Sequence, residues 1–126
     1  MILFIDTTSG TEITLALYDA DRETRATIIV PTHRSESEEL LPAIDAMITK
    51  NSAKVSGIVV VRGHSGRFSA IRSGVSAANA LGFAWGMPVM GIVHGEDVVA
   101  AVRAVGKKRG FDQPVVPVYE REPNMT

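Results

Sequence analysis

Apolar and polar positions first alternate along this chain and then, near Ser35, change to a helical period. "ILFID" at 2–6 is a continuous apolar run, "TEITLALY" places Ile13, Leu15 and Leu17 on one face, and "TRATIIV" places Ala26, Ile28 and Val30 on one face. "TTSG" and "DADRE" between them are turn residues, so three hairpin-linked strands are expected. From Ser35, Leu40, Leu41, Ile44, Met47 and Ile48 recur at helical spacing, Ser35 and Glu38 fit a capping box, and Pro42 is expected to kink the helix or reset its first turn. "GIVVV" at 57–61 reads as a buried parallel strand, the segment 62–86 as a loop feeding a helix, and "PVMGIV" as a fifth strand. A last helix is expected from about Gly95, with Glu96 and Asp97 at its positive end, Lys107, Lys108 and Arg109 at its negative end, and Gly110 ending it.

The order is three strands, helix, strand, helix, strand, helix. This is an α/β pattern with a mixed five-stranded sheet, and by analogy it is the ribonuclease H-like lobe of the actin, sugar-kinase and Hsp70 superfamily. Residues 1–110 form that domain and 111–126, with Pro114, Pro117 and Pro123, an extended tail that Tyr119 is suited to anchor.

Angular spacing divides the second helix into two faces. Ile71, Val75, Ala78, Gly82 and Trp85 are expected on the sheet; Ala70, Ser73, Gly74, Ala77, Leu81 and Ala84 form a second face narrow enough for close approach of another helix. The approaching helix is either the first helix of this chain or one from a partner. On the partner reading, Gly74→Leu leaves the monomer folded and abolishes pairing.

Composition narrows the functional classes. The chain has 126 residues with 13 basic and 14 acidic side chains, a formal charge of −1 that offers no overall basic footprint for nucleic acid, so direct nucleic-acid binding by the chain alone is not expected. Cysteine is absent, which excludes disulfides, Cys-ligated zinc and thiol catalysis. No apolar run approaches the ~20 residues of a membrane span and "MILFID" lacks the features of a signal peptide, so a cytoplasmic location is expected. His33, His64 and His94 are widely separated and form no metal-binding pair, so no metal or cofactor is expected. Asp6, Thr7 and Thr8 stand where a phosphate loop would, but an Asp followed by Ser, Thr and Gly is also an ordinary hairpin turn.

"ILFIDTTSGTEITLALYD", "HRSESEELLPAIDAMI" and "GRFSAIRSGVSAANALGFAWGMPVMGI" resemble the TsaB (YeaZ) family, which takes part in making threonylcarbamoyladenosine in tRNA. Gly66, Phe68, Ile71, Arg72 and Gly74 fit the family's Gly-Pro-Gly-Ser-Phe-Thr-Gly-Leu-Arg-Ile-Gly pattern; His64, Ser65, Arg67, Ala70 and Ser73 depart from it. The resemblance implies a non-catalytic partner whose first two helices pair with those of a TsaD-type transferase, with a TsaE-type ATPase joining the assembly. It places the contact on Leu40, Leu41, Ile44 and Met47 of the first helix and Ala70, Arg72, Gly74, Ala77 and Leu81 of the second. Family members carry a second lobe for which this sequence has too few residues before its tail, so an independent nucleotide site is not expected. The alternatives are a degenerate phosphotransferase or glycoprotease-like enzyme using Asp6, and a homodimer formed by the same helices without a role in tRNA modification.

Overall fold

The computed structural model describes residues 1–19, 24–31, 36–63 and 68–118. Expectations resting on Ser35, His33, His64, Gly66, Arg67, Tyr119 and Pro123 lie outside them. Three strands come first: β1 (Ile2–Asp6), β2 (Glu12–Tyr18) and β3 (Thr24–Pro31). They are followed by α1 (Glu36–Lys50), β4 (Gly57–Val61), α2 (Phe68–Trp85), β5 (Val89–Ile92) and α3 (Val98–Val105). The sheet order is β3-β2-β1-β4-β5, with β1–β2 and β2–β3 antiparallel and β1–β4 and β4–β5 parallel. This is the mixed five-stranded α/β architecture that the sequence pattern predicts.

Alternation along the strands sorts the core into two layers. Leu3, Ile5, Ile13, Leu15, Leu17, Ile58 and Val60 face α1 and α2, whereas Ile2, Phe4, Ala16, Val59, Val61 and Ile92 face the α3 side. β4 is apolar throughout because it is an interior strand between β1 and β5, with helices on both faces and all five residues buried. Burial of whole Leu, Ile and Val side chains, at about 1.5–3 kcal/mol each, is what fixes α1 and α2 on one face and α3 on the other.

Helix boundaries follow local chemistry. α1 runs through Pro42 as one element; Pro42 is solvent-exposed, so its missing N–H leaves a carbonyl that water can reach. α3 starts at the N-cap Asp97, whose carboxylate accepts from the amides of Val99 and Ala100. Glu96 instead accepts from the Val93 amide. α3 stops at Val105, earlier than Gly110, because Val105 is its last residue with apolar surface to bury and Gly106 follows. Lys107 and Lys108 then donate three residues back, to Ala104 and Val105, tightening the last turn.

Two expectations about α2 are corrected. Ile71, Val75, Ala78 and Gly82 are buried, but Trp85 is 45% exposed, lining an apolar recess with Ile48, Ala53, Val55 and Met87 at the end of the helix. Ala70 and Gly74, assigned by angle to the open face, are buried as well. A Cβ on Gly74 would collide with Thr7 Oγ1, because Thr7 leans over the first turns of α2 to donate to the Ala70 carbonyl at 2.6 Å.

The segment after α3 returns along the lobe. Asn79 holds Val115 by two bonds, donating from Nδ2 to its carbonyl at 2.9 Å and accepting its amide at 2.8 Å. Arg62 donates to the Val116 carbonyl, and Val118 donates to the Arg62 carbonyl while bridging in parallel to Gly63. Gly63 has φ +137°, and any Cβ there would run into the Val118 carbonyl.

Candidate functional site

β1, β4 and β5 end at the same edge of the sheet, the edge where open α/β sheets generally place ligands. Asp6 ends β1 there, and His94 follows β5. Asp6 Oδ1 accepts from the Thr8 amide at 2.9 Å and from Thr8 Oγ1 at 2.6 Å, and Thr8 Oγ1 lies 2.5 Å from His94 Nε2. The Thr8 hydroxyl has one proton and gives it to Asp6, so His94 Nε2 must be the donor to Thr8. The result is a hydrogen-bonded chain from imidazole to carboxylate, with Thr8 buried and His94 exposed at its outer end.

The turn after Asp6 directs four of its amides onto its own side chains and backbone rather than outward to a phosphate. A phosphate cradle needs free backbone N–H groups. Here the Thr8 amide is taken by Asp6, the Gly10 amide by the Thr7 carbonyl, and the Thr11 and Glu12 amides by Ser9 Oγ. Thr7 is turned inward to α2. Of the three loop candidates, Asp6 and Thr8 are brought together and Thr7 is structural. His94 joins them from 86 positions away, a contact with no local trace in the sequence. Among the described residues no three His, Asp or Glu side chains lie close enough to hold a metal ion.

A second feature lies between α1 and α2. Leu40, Ile44, Met47 and Ala70 are in the core, and Gly74 is closed by Thr7, so the surface drawn from helical spacing includes five residues already covered within the monomer. The physical reason is that α1 packs on α2 and the sheet, and that the turn after β1 covers Ala70 and Gly74 through Thr7. What remains on the outer side is a groove of about 470 Å³ whose walls include Leu41, Ser69, Arg72, Ser73, Ser76 and Ala77. Leu41 is 49% exposed, and Leu81 is half-buried further along α2. Among the described residues no helix is long and apolar enough to cross a membrane.

Similarity to known proteins follows the fold. YeaZ from Pseudomonas aeruginosa superposes with a TM-score of 0.64 at 22% identity, covering 73% of this chain and 43% of that one. A second solved structure, a protein with similarity to peptidase YeaZ from Pseudomonas aeruginosa, also has a TM-score of 0.64 at 22% identity, covering 73% of this chain and 42% of its own. The tRNA N6-adenosine threonylcarbamoyltransferase of Anaeromyxobacter dehalogenans (strain 2CP-C) is 33% identical over 70 residues, 54% of this chain and 21% of that protein. The chain thus spans less than half of the YeaZ structures and about a fifth of the curated transferase. The family model TsaD, tRNA N6-adenosine threonylcarbamoyltransferase, matches residues 22–120, which is most of the chain, and the protein belongs to that family.

Proposed function

We propose that this protein is a non-catalytic partner subunit of the tRNA threonylcarbamoyladenosine machinery, supporting a TsaD-type transferase through the outer side of α1 and α2. The observation that carries this reading is the α1–α2 groove: exposed Leu41 stands beside a floor of Ser69, Ser73, Ser76 and Ala77, short side chains that admit a partner helix at close range. That the Thr8, Gly10, Thr11 and Glu12 amides of the Asp6 turn are taken within the turn supports a role without phosphate chemistry.

Light-scattering mass after size exclusion tests it, for the chain alone and mixed with the TsaD-type protein of the same cell. A mixed complex is expected, and it should be lost in Leu41→Glu and Ser76→Arg, both at exposed positions that leave the melting curve unchanged. A wild-type chain that stays monomeric or self-dimeric beside that protein refutes the reading.

The Asp6–Thr8–His94 chain favours a second reading, a degenerate enzyme of the superfamily using this edge. Isothermal titration with ATP and magnesium separates the two: micromolar binding that disappears in Asp6→Asn supports the enzyme, and no heat supports the partner subunit.

A further inference from the structure

The overall charge conceals a division imposed by the fold. α3 and α1 run away from the carboxyl edge of the sheet, so their basic last turns, and Lys54 before β4, collect at the opposite end. There Arg103 and Lys107 line one cavity over Met1, Ile2 and Ser56, at the starts of β1 and β4. Lys108 and Arg109 line the adjoining one, over Pro88 to Gly91 at β5. Asp19 lies in the first cavity and Asp112 in the second, leaving the cations in excess. All four cationic side chains are exposed, and among the described residues none is paired with a carboxylate. Balancing the α3 dipole does not account for them: a helix C-terminus carries about half a negative charge, against four positive ones.

Aromatic surface adjoins the same turn. Phe83 is 75% exposed and meets Phe111 edge to face, ring centroids 5.8 Å apart and planes at 85°; Phe111 also lines the cavity of Lys108 and Arg109. An exposed ring beside a row of exposed cations is the combination that single-stranded nucleic acid uses, with bases on the ring and phosphates on the cations.

We infer that the end of the lobe formed by Arg103, Lys107, Lys108, Arg109 and Phe83 is a docking surface for an unpaired stretch of RNA. That the RNA is a tRNA rests on the proposed place of the protein in tRNA modification. The surface is built from α3, the end of α2 and the turn after α3, apart from the α1–α2 groove, so one chain can hold a protein partner and the RNA together.

Fluorescence anisotropy with labelled tRNA, at salt from 50 to 200 mM, tests the full chain alone and mixed with the TsaD-type protein. Binding should weaken with salt. In Lys107→Glu/Lys108→Glu/Arg109→Glu the log–log slope should become shallower by about two, since each lost single-strand phosphate contact removes about 0.7. Phe83→Ala should weaken binding roughly tenfold at every salt concentration with the slope kept, as expected for a lost stacking contact. Both variants should retain the mixed complex in light scattering, which separates failure here from failure of the partner reading. Wild-type slope and affinity in the triple variant would overturn the RNA surface. So would tighter binding of phosphatidylglycerol–phosphatidylcholine vesicles than of tRNA, which would make it a membrane face.

Discussion

Thr7 and Gly74 are coupled through space, and the pair explains a glycine inside a helix, where glycine costs about 1 kcal/mol relative to alanine. Without a Cβ at 74, the Thr7 hydroxyl reaches the Ala70 carbonyl and ties the β1–β2 turn to α2. Gly74→Leu should therefore destabilise the monomer itself by about 1–3 kcal/mol or more, reversing the expectation of a folded but unpaired variant. A double-mutant cycle gives the sharper check: Gly74→Ala and Thr7→Ala should each destabilise, and the double variant should lose less than their sum, because removing Oγ1 makes room for the new methyl. Additive thermal melts would mean that the two residues do not meet. Helical angles place Gly74 correctly around α2 but are blind to a turn from another element covering that arc. The same blindness hides the contact of His94 with Thr8, since no local period links the two.

At the scale of elements, the hydrophobic pattern made every strand and helix legible: the helices and β2 bury one apolar face, and β1 and β4 are apolar on both. It could not say which face of α1 a partner would find already taken. Leu40, Leu41 and Ile44 look alike as letters, yet Leu40 and Ile44 are core and Leu41 stands in solvent. Ile44→Ala should cost about 2–5 kcal/mol by urea denaturation, whereas Leu41→Ala should cost well under 1 kcal/mol. Equal costs would place Leu41 in the core. The returning segment 111–118 was legible only as an extended, proline-rich tail, because what secures it is an amide side chain of α2, with β5 and α3 in between. Asn79→Ala removes both bonds to Val115, at about 1–2 kcal/mol, and should speed tryptic cleavage after Lys108 and Arg109. An unchanged digestion rate would show that Arg62 and the Gly63–Val118 bridge hold the segment without Asn79.

The whole molecule is one sheet with a helical layer on each face, and β1 and β4 contribute alternate residues to both layers. Neither layer can separate without exposing the other face of the same strands, so the lobe should unfold as a unit. The chain carries its own probe of this. Trp85 is the only tryptophan and sits at the end of α2, lining a recess with Ile48 of α1 and Met87 before β5, both of which belong to the layer on the opposite face of the sheet from α3. Its fluorescence reports the α1–α2 layer, while far-UV circular dichroism averages over all elements. In urea the two transitions should coincide in midpoint and slope. The Phe83→Ala variant should shift neither, because that ring is mostly in solvent, whereas Val105→Ala, on the opposite face, should lower both midpoints together. If Val105→Ala lowered the dichroism midpoint and left the Trp85 midpoint unchanged, α3 would be a separately folding layer. The basic end would then no longer be rigidly tied to the sheet, and its cations would not keep a fixed position relative to Phe83.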